Sequence, residues 1–166
     1  MSQSLAELLA HDASRRGRGP RPEQEATRTR RQTAQILGSV PLFRGYASRH
    51  LSALAKETEE LVYAAGEHLV EEGQLGETLF VVLSGSAKVV RGGRVVGRVV
   101  PGDFFGELSA IDGGPRSASV IATTPMRTLR LFRHTLIRQL EREPALALRL
   151  LDGMAARLRQ VGQTGR

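Results

Sequence analysis

The distribution of glycine constrains the fold of this chain more than any other feature of the sequence. Eleven of the 18 glycines fall between Gly66 and Gly114. Short apolar runs rich in β-branched residues separate them, and Arg91-Gly92-Gly93-Arg94 fits a two-residue hairpin loop. Short strands at regular spacing between glycine turns predict an antiparallel sandwich or barrel. We expect strands at 79–83, 87–90, 95–100, 120–122 and 129–132, and a further turn at Gly73 and Gly76.

Helical periodicity flanks this region on both sides. Ser48 suits the N-cap of a helix that carries Leu51, Leu54, Ala55 and Leu61. Near the other end, residues 135–140 predict a short helix, and Pro144 suits the first turn of a second helix that runs to about Val161. The predicted fold class is therefore α+β, mainly β: an antiparallel β-roll or jelly-roll barrel flanked by N-terminal and C-terminal helices.

The last predicted helix carries an apolar stripe. Its members alternate spacings of four and three residues: Ala147, Leu151, Met154, Leu158 and Val161. A stripe of this kind either faces a core or forms a short seam between two copies of a chain. The sequence leaves both readings open, so a homodimer through this helix is one possible assembly.

The positive charge is concentrated in the N-terminal segment. Residues 14–31 hold seven arginines and two glutamates, whereas the whole chain has a net charge of +7. We expect residues 1–35 to form a basic arm with a short helix at 4–10, and residues 36–166 to form the domain. No aromatic residue lies among these arginines, which argues against base stacking and makes nucleic acid a disfavoured partner.

Composition excludes several classes of function. The chain has no cysteine, which excludes disulfides, cysteine-ligated zinc, iron–sulfur clusters and thiol catalysis. The four histidines are too scattered for a metal site: His11, His50, His68 and His134. We expect neither a metal nor a catalytic residue, and no enzyme. No apolar run approaches the ~18 residues of a membrane span, and no signal peptide is apparent, so a cytoplasmic protein is predicted.

The segment from Phe105 to Val120 interrupts the strand pattern and carries the chemistry. Gly106 permits close approach of the backbone to a ligand, and residues 107–111 can form one helical turn whose first N–H groups make an anion site. Arg116 could grip the same phosphate from a second side. Glu107 would repel phosphate and suits a hydroxyl such as a ribose 2′-OH. A ribose-phosphate pocket is one reading; a turn-capping Glu107 and a surface Arg116 are the other.

These residues resemble a known motif. Phe105-Gly106-Glu107-Leu108 followed by Pro115-Arg116-Ser117-Ala118 is similar to the phosphate-binding cassette of the cyclic nucleotide-binding domain family, the type found in catabolite activator protein and in regulatory subunits of cAMP-dependent kinases. Segments 63–67, 72–73, 80–85 and 101–106 resemble the family's barrel, and 144–158 resembles its last helix. The resemblance covers roughly residues 40–161.

The resemblance implies a ligand and its contacts. Arg116 would pair with the cyclic phosphate, Glu107 with the ribose 2′-OH, and Ser117 with phosphate or base. Leu108 would transmit changes to the C-terminal helix, and Arg157 would help to close the pocket. The full implied set is Gly106, Glu107, Leu108, Ser109, Ala110, Arg116, Ser117, Ala118 and Arg157, in which the backbone N–H groups near Ser109 and Ala110 complete the phosphate cradle.

The sequence also departs from the family pattern. Val161 and Gly162 stand where catabolite activator-type members place hydroxyl residues against the base; cAMP remains favoured over cGMP. We expect no helix-turn-helix domain after the last helix. We therefore expect a non-enzymatic cyclic nucleotide sensor that relays occupancy through its C-terminal helix to an effector protein of unknown identity. The alternative is a ligand-free dimerisation or interaction module with the same fold.

Overall fold

The computed structural model describes residues 29–163, which form two β-sheets and several helices. The first elements are α1 (Arg30–Ser39), a 3-10 helix (Pro41–Phe43) and α2 (Ser48–Ala55). The strands are β1 (Thr58–Tyr63), β2 (His68–Val70), β3 (Thr78–Ser84), β4 (Ala87–Arg91), β5 (Arg94–Val99), β6 (Phe104–Phe105), β7 (Ser119–Ala122) and β8 (Met126–Phe132). Helix α3 (Glu107–Asp112) lies between β6 and β7, and α4 (Arg133–Arg142) and α5 (Pro144–Gln163) follow β8.

The strands form two antiparallel sheets of four, with the orders β1-β8-β3-β6 and β2-β7-β4-β5. The predicted fold class, a mainly β α+β fold with helices at both ends, is confirmed. The hairpin is also confirmed, since Arg91 pairs with Arg94 across Gly92 and Gly93, whose φ angles are 56° and 75°. Positive φ at both central residues is the requirement that glycine meets without steric strain.

Strand β3 explains why the chain contains an unbroken apolar run. Leu79 and Val81 pack with the helices in one core cluster. Phe80 and Val82 point to the opposite face and pack against the second sheet. A strand that is covered on both faces needs apolar residues at every position, so the period-two alternation of a half-exposed strand is absent.

Strand β1 corrects a sequence prediction. Leu61 was expected on a helix that starts near Ser48, but that helix ends at Ala55 and Leu61 lies in β1. Charged pairs with β8 stabilise this strand: Arg130 Nη2 lies 2.5 Å from Glu59 Oε2, and Arg127 Nε lies 2.6 Å from Glu60 Oε1. Because two adjacent glutamates break the apolar alternation, the strand is hidden in the sequence.

Helix α1 begins earlier than the predicted domain boundary. Thr29 caps it in a reciprocal arrangement with Gln32, whose Oε1 accepts from Thr29 N at 2.8 Å. Ala34 and Leu37 are buried in the core. Residue 35, the expected end of the arm, therefore lies inside a helix that packs on the domain. The predicted helix at 4–10 and most of the basic arm lie outside the described residues.

Helix α5 faces the core with a different set of residues from the predicted stripe. Leu146 and Leu150 are buried, and Gly153 lies against the ring of Phe104. Leu151 and Leu158 are 58% and 74% exposed. The core-facing reading of the stripe is therefore wrong for these two leucines, because close packing of Gly153 on Phe104 turns them outward.

Polar contacts join the C-terminal helices to the N-terminal ones. Glu143 lies between α4 and α5, and its Oε1 is 2.9 Å from His50 Nδ1. Arg149 Nη1 donates to the carbonyl of Leu42 at 3.4 Å. Burial of Tyr46, with the Glu143 carboxylate nearby, raises the pKa of this tyrosine to about 12.

No helix within residues 29–163 is both long and apolar enough to span a membrane.

The turn between β3 and β4 gives a test of the packing. A Cβ at Gly85 would lie 2.1 Å from the carbonyl oxygen of Pro125, and φ there is +78°. Gly66 has a similar φ of +87° with no atom within 4 Å of the added Cβ. We expect Gly66→Ala to lower the free energy of unfolding by about 1–2 kcal/mol from backbone strain, and Gly85→Ala by about 2–5 kcal/mol from strain and overlap together. Urea denaturation measures both, and equal losses would contradict the close approach of this turn to β8.

Candidate functional site

Helix α3 is set into the fold by a glycine that no other residue can replace. Gly106 has a φ of 81°, and a Cβ there would lie 2.6 Å from the carbonyl oxygen of Thr78 and 2.7 Å from Arg116 Nη1. This left-handed residue turns the chain from β6 directly into α3. The N–H groups of Glu107, Leu108 and Ser109 are the first-turn donors, which by position lack partners within the helix. The N–H of Ala110 donates to the Gly106 carbonyl at 3.1 Å.

Arg116 is buried beside the start of this helix, with only 6% of its surface exposed. Its Nη1 donates to the carbonyls of Thr78 at 2.8 Å and of Gly106 at 3.2 Å, and its Nη2 donates to Thr78 Oγ1 at 2.8 Å. A Cβ at Gly76 would lie 2.5 Å from the guanidinium. Two glycines thus make the space that the side chain occupies, and Thr78 orients it.

The backbone on either side of Arg116 is fixed by the segment before β3. Arg116 N donates to the carbonyl of Gln74, and Gly73 N donates to the carbonyl of Arg116, both at 2.8 Å. Phe80 and Phe105 stack with ring centroids 5.0 Å apart, and the Arg116 guanidinium carbon lies 5.7 Å from the Phe80 centroid. A cation over an aromatic face gains electrostatic stabilisation, so this stack supports the charge.

Glu107, the first residue of α3, is 7% exposed and contacts the C-terminal helix. Arg157 Nη1 donates to Glu107 Oε1 at 2.6 Å. The Arg157 guanidinium carbon also lies 4.7 Å from the centroid of the Phe104 ring. Helix α5 therefore reaches across the start of α3 and brings a positive charge to the Glu107 carboxylate.

The structure brings most of the predicted site residues together. Gly106, Glu107, Arg116 and Arg157 are linked by hydrogen bonds around the start of α3. Ser109, Ala110 and Ala118 are buried nearby, whereas Leu108 is 42% exposed and Ser117 is exposed. The Ser117 carbonyl accepts from Arg91 Nε at 3.0 Å.

Sequence reasoning missed two residues that position Arg116. Thr78 lies 38 positions before Arg116 along the chain, and backbone pairing between distant segments brings the two residues together. Gly76 was assigned to a turn; its actual role is to leave room for the guanidinium. Gly73 and Gly76 were the available signal in the sequence, but they did not reveal that the Arg116 guanidinium occupies the space beside Gly76.

The arrangement suits an anion that also carries a hydroxyl group. Arg116 and the first N–H groups of α3 offer donors to an oxyanion. The Glu107 carboxylate offers an acceptor next to them. Among residues 29–163, no group of three or more histidine, aspartate or glutamate side chains could hold a metal ion.

Comparison with known proteins identifies the family. The family model for the cyclic nucleotide-binding domain matches residues 60–143, half of the chain, including the whole of α3 and Arg116. The chain belongs to the cyclic nucleotide-binding domain family. The resemblance inferred from the cassette sequence is thereby confirmed.

Individual relatives agree with this family. The chain is 34% identical over 125 residues to the cyclic AMP receptor protein of Thermus thermophilus, covering 72% of this chain and 58% of that protein. It is 35% identical over 97 residues to the cAMP-dependent protein kinase regulatory subunit of Eremothecium gossypii, covering 58% of this chain and 21% of that protein. A solved cyclic nucleotide-binding domain from Methylobacillus flagellatus KT superposes with a TM-score of 0.68 at 28% identity, covering 82% of each chain. The chain thus spans little more than half the length of the first of these relatives, and less of the second.

The hydrogen bond between Thr78 and Arg116 gives a test of how this cyclic nucleotide-binding domain holds its buried arginine. Thr78→Val keeps the side-chain shape and removes the hydroxyl that accepts from Arg116 Nη2. We expect a loss of about 1–3 kcal/mol in the free energy of unfolding, because a buried charged donor loses a partner. Thr78→Ser keeps the hydroxyl and should cost about 1 kcal/mol or less. Urea denaturation compares the two, and a valine variant no less stable than the serine variant would refute the role of Thr78.

Proposed function

We propose that this domain is a non-enzymatic sensor that binds a cyclic nucleotide and relays its occupancy through the C-terminal helices. One observation carries the proposal: a buried guanidinium, Arg116, lies at the start of α3 next to a buried carboxylate, Glu107. A guanidinium beside the first N–H groups of a helix suits a phosphate, because both supply donors to the same oxyanion. The family and the names of the relatives, a cyclic AMP receptor protein and a kinase regulatory subunit, support the same ligand class.

The cyclic phosphate is assigned to Arg116 and α3. The two bonds from Arg116 Nη1 go to carbonyl oxygens, of which Gly106 is the weaker partner at 3.2 Å. A phosphate oxygen, as a charged acceptor, forms a shorter and stronger bond with a guanidinium than a carbonyl does. The N–H groups of Glu107, Leu108 and Ser109 would complete the cradle, in place of the Ala110 N–H that the sequence suggested, since that group already bonds to Gly106.

The ribose is assigned to Glu107. Its Oε1 accepts from Arg157, which leaves Oε2 to accept from a 2′-hydroxyl. Arg157 also balances the charge of the Glu107 carboxylate, which would otherwise repel a phosphate bound by the N–H groups of the same helical turn. Closure of the pocket by Arg157, as the family resemblance implied, is therefore part of the proposal.

The end of α5 offers no side-chain hydrogen bond to the base. Val161 and Gly162 lie in the last turn of α5, and neither residue type can donate a side-chain hydrogen bond. Ser117 is exposed and adjacent to Arg116, so its hydroxyl is accessible to the phosphate or the base. The printed names of the relatives favour cAMP over cGMP. Cytoplasmic localisation and the identity of an effector protein stay predictions.

Binding of nucleotides to the full chain tests the proposal. Isothermal titration with cAMP, cGMP and non-cyclic AMP should give saturable binding of a cyclic nucleotide, tightest for cAMP, and little binding of AMP. A ligand at 100 times its dissociation constant should also stabilise the fold by about 2.7 kcal/mol in thermal unfolding. No heat and no thermal shift with either cyclic nucleotide at millimolar concentration would favour the ligand-free interaction module instead.

Removal of the guanidinium tests the phosphate contact. We expect Arg116→Ala to weaken binding by about 2–5 kcal/mol, roughly 30- to several-thousand-fold in the dissociation constant, because the phosphate loses its charged partner. Arg142→Ala, an exposed arginine at the end of α4, is the matched control and should leave affinity unchanged. Calorimetry on both variants decides, and equal affinity in Arg116→Ala and the native chain would reject the assignment.

The exposed face of α5 supports a homodimer as the assembly that reads the signal. Leu148, Leu151 and Leu158 are 64%, 58% and 74% exposed, and with the exposed Ala155 they repeat at intervals of three and four residues. That spacing is the one a two-stranded helical seam requires. The corrected stripe therefore fits the dimer reading better than the stripe expected from the sequence.

A charge on this face tests the dimer. Leu151→Glu should raise the dimer dissociation constant at least about 100-fold, since each copy loses a buried leucine worth about 1.5–3 kcal/mol. Val95→Glu places the same charge on a residue that is 62% exposed on β5 and should leave the assembly unchanged. Analytical ultracentrifugation over a concentration series measures both. A native chain that stays monomeric up to the highest concentration of the series would exclude the seam.

A further inference from the structure

The C-terminal end of α3 presents two carbonyl groups that the local backbone cannot satisfy. In a continuing helix, the carbonyls of Ala110 and Ile111 would accept from the N–H groups four residues later. Gly114 N instead donates to Asp112 Oδ1 at 2.7 Å, and residue 115 is proline, which has no N–H. Both acceptors therefore need a donor from elsewhere in the fold.

Arg133 supplies that donor. Its Nη1 donates to the Ala110 carbonyl at 3.1 Å and also to the Ile111 carbonyl. A positive charge at the C-terminal end of a helix also stabilises the helix through its dipole. A helix of six residues is too short to be stable alone, so contacts at its two ends decide where it lies. Arg116 bonds to Gly106 at one end, and Arg133 bonds at the other.

Arg133 is also the first residue of α4, and its backbone bonds to the residue directly before β3. Its backbone N–H donates to the carbonyl of Glu77 at 2.7 Å. The next residue, Thr78, accepts two hydrogen bonds from the Arg116 guanidinium. Arg133 therefore bonds to the end of α3 and to the residue before β3, and it is itself the first residue of α4.

We propose that Arg133 is a positioning residue that orients α3 for the ligand and couples its movement to α4 and α5. The inference rests on the proposed function, because it concerns the same pocket. A phosphate that draws the start of α3 towards Arg116 also moves its end, because a helix of six residues has fewer than two turns and moves as one unit. The hydrogen bonds at that last turn carry the displacement to the first residue of α4. Without them, α3 can fit the ligand while α4 and α5 stay where they are.

The test uses the full chain and three variants. Arg133→Met removes the charge and the donors but keeps a long apolar side chain. Arg133→Lys keeps the charge and a donor, and should restore part of the effect. Arg142→Met changes an exposed arginine on the same helix and is the control. Thermal unfolding shows that each variant is folded; if the methionine variant is not, the lysine variant and Arg133→Gln take its place.

The first readout needs no ligand. Hydrogen exchange followed by mass spectrometry should show the amides of residues 108–114 exchanging on the order of 10-fold faster in Arg133→Met than in the native chain, with no change in Arg142→Met. Unchanged exchange in this segment would overturn the positioning role, whether or not the chain binds a nucleotide.

The second readout is made with saturating cAMP. The native chain and Arg142→Met should show a change in exchange over residues 133–163 when cAMP binds, and Arg133→Met should lose most of it while its dissociation constant rises about 5-fold or more. A purely structural role would lower stability without removing the response at saturation. An undiminished response in Arg133→Met would overturn the coupling. Absence of cAMP and cGMP binding to the native chain would instead overturn the proposed function, and the exchange of α3 would still decide the positioning.

Discussion

The buried guanidinium of Arg116 is the interaction on which the rest of the site depends. A charge removed from water must find compensation, and here carbonyl dipoles supply part of it: Thr78 and Gly106 accept from the same nitrogen. This geometry requires that nothing else fills the space, which accounts for the glycines at 76 and 106. The same requirement fixes the start of α3, because Gly106 is at once the cap of that helix and a partner of the arginine.

Phe104 and Phe105 pack in different core clusters, and each cluster contacts a different part of the site. Phe105 stacks on Phe80 beneath Arg116, in the core between the sheets. Phe104 points to the opposite face, where it packs with the helices and lies under Arg157 and Gly153. Alternation along the strand thus places Phe104 under Arg157, and Phe105 against the Phe80 ring that Arg116 contacts. Since Gly106 and Glu107 follow immediately, a shift of this strand end reaches both the pocket and the C-terminal helix.

The sequence predicted those parts of the fold that local chemistry determines. Gly92 and Gly93 specified the hairpin, and the cassette around Glu107 and Arg116 predicted residues that the structure brings together. Strand β1 was missed because its glutamates pair with arginines of β8, 67 and 71 positions away, and not with neighbours in sequence. The inward face of α5 was misread because it depends on Gly153 meeting Phe104, a contact that periodicity cannot reveal. Thr78 was missed for the same reason: the partner of a buried arginine is chosen by sheet register.

The contacts that hold the second half of α5 indicate how strongly the pocket can influence it. The first half is held by the buried Leu146 and Leu150, whereas further along Arg157 is 35% exposed and pairs with Glu107. The Glu107 side chain is only 9% exposed, so breaking this pair would leave a buried carboxylate uncompensated and would cost more than the roughly 1 kcal/mol of an exposed pair. Under the proposed function, a ribose hydroxyl that binds the same carboxylate would act on the contact that holds the second half of α5, and would shift this half without unfolding the helix. Coupling of about 1–3 kcal/mol is the range expected for an allosteric relay, and a stronger clamp on α5 would make the helix insensitive to the ligand.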